Sequence, residues 1–315
     1  MPGLTHECVS QEEEVREAVE TLEAPEELRP RGISLRTRMG RNMTGVIGAG
    51  ILLFMLFVAL VGPYIVPDGP LSQDAPSFVK PSLSLDHPFG TDRLGRDVLS
   101  RVVSGARTSL QIGIIAVTIA VLGGCFFGVI SGYFGGWVDY LIQRIVEVII
   151  SIPALILLIV VSAAVGSSVR NVTLLLGVMG IPILTRVVRS IIFSEKEQLY
   201  IEAARSLGAT NKRLLFVHLF PSVIPLAGIL AALALGGMIL AEAALSFLGV
   251  GVPPPNPSWG ADMSGNARDY FQHAPWLAIF PGIALSLTIL GANLVAETIR
   301  DLIDPYAQRQ GVGTR

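Results

Sequence analysis

The chain has 315 residues, of which 51% are hydrophobic and 15% charged, with a mean hydropathy of +0.60 and a formal net charge of −2. This is too apolar for a soluble domain of that length and points to an integral membrane protein. Cys8 and Cys125 lie far apart and the four histidines (His6, His87, His218, His273) are scattered, so neither a disulfide framework nor a metal cluster is indicated.

Residues 1–42 form a polar tail, with nine Glu and one Arg over 7–27 and then five Arg and no acid over 29–41. The tail lacks the apolar stretch of a secretory signal, so it is expected to stay in the cytoplasm as a solvated appendage. Six apolar runs follow, at about 44–66, 108–132, 139–165, 171–193, 221–248 and 276–299. Each has roughly the twenty residues that a helix needs to cross about 30 Å of hydrocarbon. Backbone groups in lipid must be satisfied within the segment, so the runs are predicted to be helices. The predicted fold is therefore an all-α integral membrane domain of six transmembrane helices over 43–305. Segments 67–107 and 249–275 lie on one side, and segment 194–220 and the tail 306–315 lie on the other. Sixteen of the 23 Lys and Arg fall on the side of the N-terminus, which places both termini and the 194–220 segment in the cytoplasm.

The second run carries small residues at every fourth position: Ala116, Ala120, Gly124, Gly128, Gly132 and Gly136. That spacing predicts close packing against another helix. In the third run Arg144 and Glu147 stand three apart on one helix face, where they serve either as a structural ion pair or in a translocation path. Glu242 lies near the outer end of the fifth run and is a second intramembrane charge that needs a partner or a cavity. Glu297 and Arg300 repeat the three-apart spacing at the inner end of the sixth. The proline-rich loop before the sixth run holds Trp259 and Trp276, which read equally as interface anchors or as part of a rigid receiving surface.

Between the fourth and fifth runs lies YIEAARSLGATNKRLLFVHLFP, Tyr200 to Pro221. IEAARSL favours helix, Gly208 is placed to end it, and Thr210 or Asn211 can cap a second short helix, which Pro221 is expected to end. Leu207, Leu214, Leu215 and Val217 are expected on one face, with Glu202, Arg205, Lys212 and Arg213 on the other. The residues alone leave two readings open: a pair of helices that docks into a partner's groove, or an amphipathic connector lying on lipid head groups.

No GxxxxGK[ST] phosphate loop, GxSxG elbow or HExxH helix occurs, so the chain neither splits ATP nor catalyses a reaction by these known devices. Nothing in it points to nucleic acid or to a bound cofactor. A secondary transporter working alone would need inverted repeats with broken midplane helices, and no clear repeat is visible.

Glu202-Ala203-Ala204, then Gly208, then His218-Leu219-Phe220-Pro221 resembles the EAA motif of ABC importer permeases, with Phe220 where that family prefers Leu. HPFGTDRLGRDVLSRVVSGARTSL (His87 to Leu110), GYFGGWVDYLIQRIVEVIISIP (Gly132 to Pro153) and AEAALSFLGVGVPPPNPSWG (Ala241 to Gly260) resemble the peptide and nickel branch, C type, with Glu147 where Asp is usual. The resemblance covers roughly 35–305. It implies a MetI-like permease fold in a bacterial inner membrane, importing di- or oligopeptides, with nickel chelates as the rival cargo. It also implies a homologous B-type permease partner, one or two ATPase subunits that use ATP and Mg, an extracytoplasmic binding protein and surrounding lipid. By the same resemblance, Glu202, Ala203, Ala204, Arg205, Gly208 and Pro221 couple to the ATPase. Glu242-Ala243-Ala244 repeats the tripeptide within apolar flanks and reads as the end of a span.

Overall fold

The computed structural model describes residues 43–66, 69–82 and 87–303. The predicted tails 1–42 and 306–315 lie outside the described residues. The helices are α1 (Met43–Ile65), α2 (Val98–Phe134), α3 (Gly136–Ile150), α4 (Ala154–Val165), α5 (Val169–Glu195), α6 (Leu199–Ser206) and α7 (Asn211–Arg213). A π-helical turn over Leu214–Leu219 then leads into α8 (Phe220–Phe247), followed by α9 (Trp259–Met263), α10 (Asn266–Asp269) and α11 (Trp276–Ile303). Among the described residues, five helical stretches are long and apolar enough to cross a membrane: α1, α2, α5, Asn211–Phe247 and α11. The sixth crossing exists only as the pair α3 and α4, bent by 87°.

That bend corrects the expectation of one uninterrupted third span over 139–165. Pro153 has no N–H to donate, and its ring disfavours helical backbone at the residue before it. Pro153 sits at φ −53°, ψ 123° and starts α4 afresh. At 1.5 Å per residue, the 12 residues of α4 extend about 18 Å. That is well short of roughly 30 Å of hydrocarbon.

The helix α2 opens at Val98, ahead of its apolar run, because Asp97 caps it by accepting from Ser100 N at 2.7 Å. Residues 98–107, expected in an external segment, are thus already helical. The small-residue stripe on α2 packs against α5 as predicted: a Cβ on Gly124 would lie 2.4 Å from Leu184 Cβ, and one on Gly128 2.6 Å from Val188 Cβ. Gly132 meets Ile192 in the same way, whereas Gly136 meets nothing within 4 Å and stands outside the stripe at the start of α3. Around this pair, α1 packs on α11, and α8 on both α2 and α11. One apolar cluster joins α1, α2, α8, α9 and α11, and includes Trp259, Ile239 and Ala243. Another, at the other end, gathers Cys125, Val129, Val188, Ile192, Ile201, Leu214 and Leu219 beneath α6.

Pro221 does not end a helix, contrary to expectation. The chain runs as one helical stretch from Asn211 to Phe247, and Pro221 sits inside it, just after a π-helical turn that accommodates its missing N–H. The π-helical turn before it shifts the ladder by one residue, so that Phe220 N donates to Leu215 O.

Candidate functional site

The physics of helix ends shapes the first site, the projection between α5 and α8. Gly208 has φ +84°, a left-handed conformation that glycine takes without a Cβ penalty. Ala209 N donates to Ala204 O at 3.0 Å and Gly208 N to Arg205 O at 3.0 Å. This double bond pattern is the Schellman stop, and it satisfies carbonyls that the end of α6 leaves free. Thr210 then caps α7, its hydroxyl accepting from Arg213 N at 3.4 Å. The projection is pinned from below by Ile201, Leu214 and Leu219, all buried against α2 and α5. Lys196 Nζ donates to Gly132 O at 3.0 Å, and Tyr133 Oη to Asn211 Oδ1 at 2.8 Å, fixing it at both flanks. Tyr200 donates to Glu195 at 2.5 Å. Loss of water around the Tyr200 hydroxyl, then the Glu195 carboxylate beside it, push its pKa up to about 12, so it stays a neutral donor.

The predicted apolar face divides. Leu214 points into the protein, whereas Leu207 is 90% exposed and Phe216 70%, with Leu199 and Val217 also exposed. Glu202, Ala203 and Arg205 are exposed beside them, and Ala204 is half-buried. The result is an anchored knob whose tip offers aliphatic and aromatic surface ringed by charge. Ile201 was missed from the sequence as its anchor, although it is a large apolar residue three before the half-buried Ala204 on one helix face.

At the same end, an open recess of about 550 Å³ is lined by Asp139, Tyr140, Gln143, Arg144, Glu147, Arg186 and Arg189. Arg144 and Glu147 form the expected ion pair, Nη1 to Oε2 at 2.8 Å, and both are exposed. The stronger link was not foreseen: Arg189 of α5 grips Asp139 of α3 through two bonds of 2.5 Å, and Ser131 donates to the same carboxylate at 2.5 Å. No local spacing reveals a pair separated by fifty positions. This bidentate pair holds α3 to the bundle across the break at Pro153. Asp139→Asn is expected to destabilise the protein by about 2 kcal/mol, the range for a hydrogen bond to a charged group. Thermal unfolding in detergent checks this, and an Arg189→Gln, Asp139→Asn double variant should lose little beyond the single changes.

At the opposite end, Glu242 is fully buried. Ser109 Oγ donates to its Oε2 at 3.0 Å and Ser246 Oγ to its Oε1 at 2.7 Å. The side chain therefore faces α2 and its own helix end, where it ties α8 to α2, and not an open cavity. Glu202, the first residue of the other EAA tripeptide, is exposed, so the two copies have opposite environments. Trp259 and Trp276 are likewise core residues, not interface anchors: Trp259 Nε1 donates to Val102 O at 3.0 Å and Trp276 Nε1 to Thr91 O at 3.2 Å. Arg101 of α2 donates through Nε to Asp262 Oδ1 at 3.0 Å, joining α2 to α9. Burial pushes the Asp262 carboxyl upward, and the Arg101 guanidinium opposes that shift.

Residues 124–309 match the model of the family described as binding-protein-dependent transport system inner membrane component, and residues 34–82 match the N-terminal transmembrane domain of oligopeptide transport permease C. The dipeptide transport system permease protein DppC of Alkalihalophilus pseudofirmus is 37% identical over 268 residues, covering 85% of this chain and 88% of that protein. The glutathione transport system permease protein GsiD is 36% identical in Pectobacterium atrosepticum over 273 residues, and in Escherichia coli O6:K15:H31 over 289. Those matches cover 85% and 90% of this chain and 89% and 93% of the respective relatives. Relatives of this kind are transport components, not enzymes, and work with ATPase and binding-protein partners. The chain belongs to the binding-protein-dependent inner membrane components and is a multi-pass permease subunit of an ABC importer.

Proposed function

We propose that this permease imports di- or oligopeptides and that the α6–Gly208–α7 knob couples it to an ATPase subunit. The substrate class is supported by the dipeptide and glutathione permeases to which the chain is similar. The observation that carries the coupling role is the knob itself: Ile201, Leu214 and Leu219 anchor it rigidly, while Leu207, at 90% exposure, is left without cover. A rigidly held apolar tip amid charge suits a groove in a partner protein better than it suits water.

In this reading both termini and the knob face the cytoplasm, and α9, α10 and the proline loop face outward. A homologous B-type permease completes the pathway, and one or two kinds of ATPase subunit bind and split ATP with Mg. An extracytoplasmic binding protein delivers the peptide. ATP-driven closure of the ATPases moves the knob, and the knob moves α5 and α8, to which it is joined at each end. Glu202 and Arg205 flank Leu207 on this docking surface, and Pro221 marks where the movement enters α8.

Leu207→Asp tests the coupling role. Burying a leucine side chain contributes about 1.5–3 kcal/mol, and an unpaired carboxylate there adds a desolvation cost. The ATPase retained on the purified complex is expected to fall at least tenfold, with the permease's melting temperature within about 2 °C of wild type, since an exposed site contributes little to the fold. Wild-type retention of the ATPase by this variant would refute the coupling role.

A further inference from the structure

One face of α2 carries polar groups that are left uncovered among the described residues. Ser104, Arg107, Gln111 and Thr118 recur at helical spacing over the outer half of the helix. Arg107, Gln111 and Thr118 are exposed and Ser104 is half-buried. Thr118 satisfies itself by donating to Ile114 O at 2.8 Å. Among the described residues neither the Arg107 guanidinium nor the Gln111 amide makes a hydrogen bond or ion pair. Exposed Ile114 and Ile115 lie on the same face between Gln111 and Thr118, and it becomes apolar throughout at Leu122 and Phe126.

A bare guanidinium and a bare amide are costly against hydrocarbon, so a spanning helix turns such groups toward water, a polar partner or a solute. Arg107 also lines an open recess of about 410 Å³ between the end of α1 and α2, with Ser100, Ser104, Thr108, Pro63 and Pro257 on its walls. Among the described residues that line the recess it is the one charged side chain. A fixed cation with hydroxyls beside it is matched to a carboxylate, and a guanidinium can engage both of its oxygens.

Resting on the peptide-import reading above, we infer that this face of α2 forms the outer half of the solute path in this subunit. Arg107 receives the free terminal carboxylate of the incoming peptide, and Gln111 hydrogen-bonds its backbone amides. The intramembrane charges Arg144, Glu147 and Glu242 are not part of this outer site: the first two lie at the knob end and Glu242 is tied to Ser109 and Ser246.

Two measurements on the complete transporter, with its permease partner, ATPases and binding protein in proteoliposomes, test the inference. In a chain carrying Cys8→Ser and Cys125→Ala, Gln111→Cys and Thr118→Cys are labelled with a charged methanethiosulfonate added from outside, with Leu53→Cys on exposed α1 as the lipid-facing control. Labelling at 111 and 118 is expected to be at least tenfold faster than at 53. Rates equal to the control would show that lipid or a partner helix covers this face, and would overturn the path. Uptake of a dipeptide is then compared with that of its C-terminal amide. The ratio of free acid to amide is expected to fall at least fivefold in Arg107→Gln and to be largely kept in Arg107→Lys. Because wild type and variant share one binding protein, that protein's own preference cancels. An unchanged ratio would overturn the role of Arg107. A wild-type complex that imports neither form would overturn the peptide reading and the carboxylate role together, and labelling would still decide the path.

Discussion

Gly208→Val is expected to stop ATP-driven uptake while leaving the permease folded in the membrane, and Gly208→Asn is expected to retain most of it. The reason is conformational, because space is not the constraint: a Cβ at 208 would meet nothing within 4 Å, but the backbone sits at φ +84°. A non-glycine residue pays roughly 1–2 kcal/mol in that region. A β-branched residue is a true outlier there, whereas asparagine visits the region readily. The strained valine chain relieves itself by releasing the Ala209–Ala204 and Gly208–Arg205 bonds, which unfolds the end of α6 and swings Leu207 away from the position that Ile201 and Leu214 fix. The order of uptake is thus wild type, then Asn, then Val, measured in cells with matched permease levels. Equal uptake by all three would mean that the shape of the turn is irrelevant to coupling.

Gly124→Leu is expected to lower the melting temperature in detergent by more than 10 °C, and most of the variant is expected to aggregate or be degraded. A Cβ there lies 2.4 Å from Leu184 Cβ and 3.2 Å from the Leu184 and Thr185 backbone, so no rotamer change relieves the clash. The helices must move apart, and the contacts at Gly128 and Gly132 open with them. Overpacking at a single well-packed site costs about 1–3 kcal/mol, and loss of a whole helix seam costs more. Gly228→Leu on α8 is the control: a Cβ there meets nothing within 4 Å, so its melting temperature should stay within about 2 °C of wild type. Matching losses in both variants would show that the residue type and not the α2–α5 seam is responsible.

What could be read from the sequence was what is encoded within a turn or two of helix. The alanine and glycine stripe on α2 predicts its packing through Gly132 because a period of four is local. The stop at Gly208 is legible because it needs only one residue type at one place. The break at Pro153 was also signalled locally, but a continuous apolar run outweighed it, and hydrophobicity is blind to an 87° bend. Pro221 was misread for the opposite reason: the π-helical turn before it carries the helix through a proline that reads locally as a stop. The remaining misses are contacts across the chain. The Arg189–Asp139 clamp, the burial of Glu242 by Ser109, and the indole bonds of Trp259 and Trp276 join residues whose proximity only the bundle creates. Glu202 and Glu242 show the limit most plainly, since the glutamates of identical tripeptides end one exposed and one fully buried.

The central claim, that this subunit passes peptides inward at the expense of ATP split by its partners, is tested most directly by uptake in cells lacking this permease, with and without its restoration. Labelled dipeptide, tetrapeptide and nickel are supplied, each with ATP intact and with ATP depleted at constant membrane potential. The account predicts that restoration brings back peptide uptake, and that ATP depletion abolishes it. Restoration of nickel uptake alone would contradict the substrate, and peptide uptake that survives ATP depletion would contradict the coupling.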